Sequence, residues 1–209
     1  MMTRGGGVRG ACGYGGGMRS VRGGGTTRAQ QKLLDFVRYL KYSFDGKIVL
    51  DIGSSTGGFT QVALDMGAKK VVAVEKGTKQ MRAPLRYDAR VELHEKTDIF
   101  EFTPDGEIDV VVADVSFVSL KPILKDILGK VDQGTEFLVM MKPQFEAKPS
   151  ELNRGVVKNE RMRRGIIKDF EAWLKSSGFI IKDRHDNEVT GRNGNRERFY
   201  YLAVATPLV

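Results

Sequence analysis

Three segments of the chain, Ile48-Val49-Leu50, Ile108 to Ala113 and Glu136 to Met141, are apolar at almost every position rather than at every second one. A strand without a polar face must be covered on both sides, and parallel strands between two helical layers meet that demand. The intervening segments supply the helices. Leu33, Leu34, Val37 and Leu40 fall at helical spacing, and Asp45-Gly46 breaks the pattern before the first strand. Gly57 to Met66 reads as a helix, Lys70 to Val74 as a strand, Lys79 to Arg86 as a weak helix and Val91 to Leu93 as a short strand. A helix is expected around Leu120 to Leu128. Met162, Ile166, Phe170, Trp173 and Leu174 then form an apolar stripe, with Met162 and Trp173 read as core, on a helix of about 16 residues stopped by Ser177-Gly178. Phe179-Ile180-Ile181 and Arg198 to Ala205 are the last strands. The turn signal Asn193-Gly194 between them predicts an antiparallel hairpin. The expected fold is therefore α/β, a doubly wound, mostly parallel sheet ending in an antiparallel hairpin.

At 209 residues, 41% hydrophobic and 29% charged, the chain suits one domain with a core of its own. A single cysteine, Cys12, excludes an internal disulfide framework and a cysteine-rich metal site, and no metal site is expected. There is no apolar run long enough to cross a bilayer and no apolar signal-peptide core, so a soluble, cytoplasmic protein without a membrane partner is expected.

The net charge of +8 is unevenly placed. Arg4, Arg9, Arg19, Arg22, Arg28 and Lys32 precede the first acid, Asp35, leaving only +2 for residues 35–209. Eleven of the 25 glycines share the same first 34 residues. Residues 1–27 are read as a disordered Gly/Arg-rich tail and 28–209 as the folded domain. Such an arm suits contact with RNA phosphates and bases, although many such tails are passive. A mitochondrial presequence would share its arginines, but the glycines oppose the amphipathic helix a presequence needs.

The sharpest local feature is Asp51-Ile52-Gly53-Ser54-Ser55-Thr56-Gly57-Gly58-Phe59-Thr60, at the end of the first strand and opening a helix. Glycines at 53, 57 and 58 allow a sharp turn and close approach to a ligand, and Ser54, Ser55 and Thr56 leave room above it. A dinucleotide loop has its second glycine where this chain has Ser55, and no phosphate-binding G-x-x-x-x-G-K-[ST] loop is present. Asp51 ahead of the loop suits a ligand bearing an ammonium and a sulfonium. Glu75, 22 positions after Gly53, has the spacing of an acid that binds ribose hydroxyls. S-adenosylmethionine combines these features. Asp98 is placed to accept an adenine amino group with Ile99 against the ring, although Thr97-Asp98 equally reads as a turn.

Two later strand ends carry polar residues: Ala113-Asp114-Val115-Ser116-Phe117 and Met141-Lys142-Pro143-Gln144-Phe145. Together with Asp51 to Thr60, Glu146, Gly155-Val156-Val157 and Gly191-x-x-Gly194-Asn195-x-Glu197, they resemble the hemolysin-A-type (TlyA) ribosomal RNA methyltransferases, from about Arg28 to Leu202. That group is similar to the FtsJ-like 2′-O-methyltransferases. The resemblance implies a Rossmann-like S-adenosylmethionine-dependent methyltransferase fold and a Lys-Asp-Lys-Glu tetrad, here Lys32, Asp114, Lys142 and Glu197. Asp114 would also touch the cofactor. Lys32 is nominated by the resemblance alone, through Arg28-Ala29-x-x-Lys32-Leu33. The family's small RNA-binding domain ahead of the methyltransferase is replaced here by the Gly/Arg tail, and its Ser-Pro before the Gly-x-x-Gly-Asn turn by Asn187-Glu188.

A sulfonium methyl group is already activated, so the enzyme has chiefly to align a ribose hydroxyl and manage one proton. Lys142 is the expected group on that hydroxyl, removing its proton or orienting it, with Asp114, Lys32 and Glu197 positioning it. Arg154, Lys158, Arg161, Arg163, Arg164, Lys168, Arg192, Arg196 and Arg198 are candidates for holding RNA phosphates, each of them equally readable as a solvated surface residue. Ribosomal RNA or a ribosomal subunit is the expected partner, and no obligatory protein partner is indicated. One alternative is a nitrogen methyltransferase on nucleic acid or a small molecule, for which the paired prolines expected after Asp114 are missing. The other is a non-catalytic RNA-binding or hemolysin-like protein, against which the glycine loop and four tetrad candidates stand.

Overall fold

A computed structural model of the chain describes residues 26–191 and 194–205. Residues 1–25 of the Gly/Arg tail lie outside the described residues, as do Arg192 and Asn193. Helix α1 (Arg28–Leu40) begins at Thr27, whose hydroxyl accepts a hydrogen bond from the Gln30 amide while the Gln30 side chain bonds back to the Thr27 amide. The chain continues through β1 (Ile48–Ile52), α2 (Gly58–Asp65), β2 (Lys70–Glu75), β3 (Val91–Glu95), β4 (Val110–Ala113), α3 (Leu120–Leu128) and β5 (Glu136–Met141). A short α4 (Pro143–Glu146), a two-stranded ribbon of β6 (Leu152–Asn153) and β7 (Val156–Val157), α5 (Glu160–Ser176), β8 (Phe179–Asp186) and β9 (Arg198–Val204) complete it.

Seven strands form one sheet in the order β3-β2-β1-β4-β5-β9-β8. β1 to β5 are mutually parallel, whereas β9 runs antiparallel to both β5 and β8. The expected doubly wound sheet and terminal hairpin are both present. The strand order reverses direction between β1 and β4, and ligands of such folds bind beyond the carboxyl ends of the strands at this reversal.

The apolar runs follow from burial on two faces. Leu50, Val111, Phe137 and Val139 pack with α3 and α5. Their neighbours Val49, Val110, Val112, Leu138 and Met140 pack with α1 and α2 on the other side. Trp173 packs against the first cluster, only partly buried. Met162, read as core, is also only partly buried and joins neither cluster, because the chain at the start of α5 borders an open cleft.

The helix expected over Lys79–Arg86 does not form. Pro84 lacks an amide donor and disfavours helical geometry at the residue before it, and only a single tight 3-10 turn, Leu85–Tyr87, follows it. The hairpin connection is also longer than a tight Asn-Gly turn. Asn187 and Glu197 already bond across it, and a smaller turn closes inside as the Gly194 amide donates to the Gly191 carbonyl.

Candidate active site

β1, β4 and β5 end at the same edge of the sheet, and β9 starts there because it runs the opposite way. Met141 pairs with Arg198 in register, which puts Lys142 and Glu197 side by side just beyond the ladder. Ala113 pairs with Ile52 and Val139, so Asp114 lies on that edge one strand over. Topology alone thus gathers three of the four tetrad candidates.

The fourth arrives from α1. Lys32 is buried with Leu33, Phe36 and Val37, and its ammonium lies 2.5 Å from Glu197 Oε2, with both side chains almost wholly withdrawn from solvent. A buried lysine needs a partner charge, and Glu197 supplies it. The side chain whose spacing resembles an ordinary surface lysine is therefore an internal ion pair 165 residues apart in sequence. Glu197 Oε1 lies against Gly191, where a β-carbon would come within 2.9 Å of it.

Lys142 forms the second pair. Its Nζ is 2.6 Å from Asp114 Oδ1 and donates to Ser116 Oγ at 2.7 Å. Ser116, singled out in sequence only as part of a motif, is thus a direct partner of the central lysine. The next residue, Phe117, is 92% exposed and sits at a left-handed backbone position, φ +65, with its ring 5.4 Å from that of Phe145. The sequence carries no sign of its exposure, because an aromatic after a strand usually turns inward.

The glycine loop is built from two kinds of glycine. Gly53, at φ +77, lets the loop press against the end of β4, since a β-carbon would lie 3.3 Å from the Asp114 carbonyl oxygen. Gly57 and Gly58 are occupied from the protein side: a β-carbon would come 2.2 Å from Leu85 Cδ2 at Gly57 and 2.9 Å from Ala29 Cβ at Gly58. Gly58 therefore seats α1, and through it Lys32, on α2. Phe59 belongs to the core, stacked against Phe199.

Asp51 is fully buried, with one oxygen accepting the Thr60 hydroxyl at 2.5 Å. Its other oxygen, and the buried Ser54 hydroxyl, have no hydrogen-bond partner among the described residues. Burial pushes the Asp51 carboxyl up to about 7, against the Thr60 hydrogen bond, with the charges of Asp114 and Glu75 adding to the rise. Glu75 accepts the amides of Ser55 and Gly77 and bridges the glycine loop to the end of β2. Ser55, at φ +47, also bonds Gln80, while Thr56 stays partly exposed on the loop. Asp98 is paired with the exposed Lys76 at 2.9 Å and accepts the Phe100 amide. Ile99 is packed into the core on the α3 side, 8% exposed.

Two of the arginines considered for RNA are engaged internally. Arg163 and Arg198 both hold Asp186, each at 2.6 Å, and Arg198 also reaches Glu171. The two arginines hold the Asp186 carboxyl down at about 2, against the effect of its burial. Arg163 further donates to the Arg196 carbonyl and braces the backbone beside Glu197.

A doubly wound sheet with an acid-preceded glycine loop at its reversal point, a second acid at the end of β2 and two lysine-carboxylate pairs beside it has the form of an α/β enzyme with its ligand site at the strand ends. Residues 26–204 match the FtsJ-like methyltransferase family, and the chain belongs to that family. It is 34% identical to the 23S rRNA (cytidine-2'-O)-methyltransferase TlyA of Campylobacter jejuni over 84% of this chain and 69% of the relative. It is 33% identical to the 16S/23S rRNA (cytidine-2'-O)-methyltransferase TlyA of Mycobacterium tuberculosis over 86% of this chain and 69% of that one. A solved structure from Streptococcus thermophilus that carries the name hemolysin superposes with a TM-score of 0.83 at 31% identity, covering 90% of this chain and 69% of the other. Among the described residues no helix is long and apolar enough to cross a membrane, and no cluster of side chains suits a metal ion.

Proposed function

We propose that the protein transfers a methyl group from S-adenosylmethionine to a ribose 2′-hydroxyl of ribosomal RNA. The observation that carries this reading is the pairing of Lys142 with Asp114 and of Lys32 with Glu197 at one sheet edge, beside a buried carboxylate that has no cation of its own. The 2′-O assignment and the ribosomal substrate are supported by the relatives named above.

The residues present fit the cofactor. The unpartnered Asp51 oxygen and Ser54 hydroxyl are buried acceptor and donor groups facing the loop, and Glu75 stands at the strand end beside them. Asp51 would hold the ammonium group, Glu75 the ribose hydroxyls and Asp98 the adenine edge. When bound, S-adenosylmethionine supplies an activated methyl group.

The protein's own work is to hold the acceptor. Lys142 donates to Ser116 Oγ and is held by charge against Asp114, which leaves the rest of its nitrogen for the target hydroxyl, to orient it and to take the proton it loses as the methyl group arrives. Asp114 and Ser116 together hold the lysine nitrogen in place, and alignment of this kind lowers a barrier that is largely entropic. The Lys32–Glu197 pair fixes the neighbouring strand end and the first turns of α1. Phe117 offers an exposed ring face beside Lys142, suited to stack the base of a nucleotide turned out of its helix.

The test is to incubate the protein with methyl-labelled S-adenosylmethionine and ribosomal RNA or subunits, digest the RNA and separate the nucleosides. Label in 2′-O-methylated nucleosides is expected. Label on a base places the chemistry on nitrogen or carbon and refutes the 2′-O assignment.

A further inference from the structure

Helix α5 carries a second basic feature that the paired arginines obscure. At 100° per residue, Arg161, Arg164, Lys168 and Lys175 fall within about 60° of arc along a line of about 21 Å. All four are exposed, and none takes part in an ion pair among the described residues. The acids of this helix point elsewhere. Glu160 meets Arg163, Glu171 meets Arg184 and Arg198, and Asp169 lies to one side of the row. The sequence alone cannot separate Arg163 from Arg164, yet the fold buries the first and leaves the second in solvent.

The small residues of the same face form an independent observation. Gly165 sits inside a 17-residue helix, has no left-handed backbone angle and would meet nothing within 4 Å if it carried a β-carbon. Neither conformation nor packing within the chain calls for glycine there, and glycine weakens a helix relative to alanine. Ala172, also exposed, continues a flat strip along one edge of the cation row, with Asp169 on the strip's far side. Flat backbone alongside a row of extended cations lets a polyanion approach the row closely.

The row begins beside the active site. The start of α5 lines a cleft of about 260 Å³ together with Pro143, which adjoins Lys142, and with Asn195 and Arg196, which precede Glu197. Asn195 anchors the β6–β7 ribbon to this loop by accepting the Val157 amide and donating to the Gly155 carbonyl. The ribbon carries exposed Arg154 at its tip.

We infer that the exposed face of α5, from Arg161 through Gly165 to Lys175, is the surface on which the sugar-phosphate backbone of the RNA lies while the target nucleotide enters the site. This rests on the reading of an RNA substrate given above. It assigns the electrostatic grip to the helix face and excludes Arg163 and Arg198, whose charge is spent on Asp186.

The test is binding of extracted ribosomal RNA by the full chain across a range of salt concentrations. Each lost phosphate contact flattens the slope of log K against log salt by about 0.7 to 0.9. The triple variant Arg161→Ala, Arg164→Ala, Lys168→Ala is expected to bind RNA roughly ten- to a hundredfold more weakly near 0.1 M salt, with the slope lowered by about two to three. Its affinity for S-adenosylmethionine and its Tm should match the wild type. Ala172→Glu, which adds an acid to the strip and touches no core contact, should weaken RNA binding in the same direction and guards against misfolding of the triple variant. RNA binding at wild-type affinity and slope in both variants overturns the inference, as would happen if the face met a protein instead. A wild-type chain that neither binds nor methylates ribosomal RNA overturns the underlying reading of the substrate as well.

Discussion

The two sides of the active edge are finished differently. Around the ends of β4 and β5 and the β8–β9 hairpin, the carboxylates of the tetrad and its brace each have a cation: Glu197 has Lys32, Asp114 has Lys142 and Asp186 has two arginines. Around β1 and β2, Asp51 and Glu75 have hydroxyl and amide partners but no cation. The contrast shows in the titrations, since the Asp186 carboxyl is held down at about 2 and that of Asp51 is pushed up to about 7. A side that has balanced its own charges is ready for a neutral hydroxyl and the phosphates around it. The other side is completed by a ligand that brings positive charge.

Removing the cation on the finished side should have the largest effect. Lys142→Ala should lower methyl transfer by about a thousandfold, in the range that positioned proton-handling groups contribute, with cofactor affinity unchanged by calorimetry. A variant that still methylates RNA at the wild-type rate breaks the assignment of Lys142.

Asp186→Asn should come next. It leaves Arg163, with a side chain 8% exposed, only the longer contact to the exposed Glu160, and should cost about 2 to 4 kcal/mol in urea unfolding at pH 7. Because the folded value lies below the ordinary 3.8, this stabilisation is present above pH 4 and is lost as pH falls through about 2. The variant should therefore approach the wild type in stability toward pH 2. A loss that persists there would mean that Asp186 acts by packing rather than by charge.

Asp51→Asn sharpens the comparison from the other side. The folded value of Asp51 lies above the ordinary 3.8, so its contribution to stability is fully present below that pH and is lost as pH rises through about 7. At pH 8 the buried, unpaired carboxylate is a burden that the amide removes. Ligand-free Asp51→Asn should then be at least as stable as the wild type at pH 8, while binding S-adenosylmethionine about ten- to a hundredfold more weakly. A variant that loses stability and keeps its affinity would make Asp51 a structural cap.

The smallest effect is expected at Gly165. Gly165→Ala should stabilise the ligand-free protein by about 0.5 to 1 kcal/mol, because alanine fits the open helical position. Thermal melting checks it, and destabilisation would reveal a packing need that the fold does not display.

The sheet was readable in sequence because its central strands are buried on both faces, which prints continuous apolar runs such as Val110-Val111-Val112-Ala113. The strand ends were readable for a related reason: the polar letters that close such runs, Asp114 and Lys142, fall just past the last strand residue, while Asp51 lies one residue before the end of β1, buried within it. Partnership was not readable. Lys32 looks like a surface lysine until Glu197 arrives from the far end of the chain, and Arg163, Arg164 and Arg198 carry the same letter while one lies in solvent and two clamp Asp186. The exposure of Phe117 leaves no mark in the sequence, because it depends on a left-handed backbone turn. Lys79–Arg86 misled because helical spacing persists there across a proline that prevents the helix.

The contrast between the two sides is tested most directly by calorimetric titration of S-adenosylmethionine into the wild type and Asp51→Asn between pH 6 and 8. The wild type should bind about tenfold more weakly at pH 6 than at pH 7.5 and release a proton on binding at the lower pH, as a carboxyl near 7 is forced to ionise by the incoming cation. Asp51→Asn should show neither effect. Equal affinities for the two proteins at every pH, with no proton release, would contradict the account.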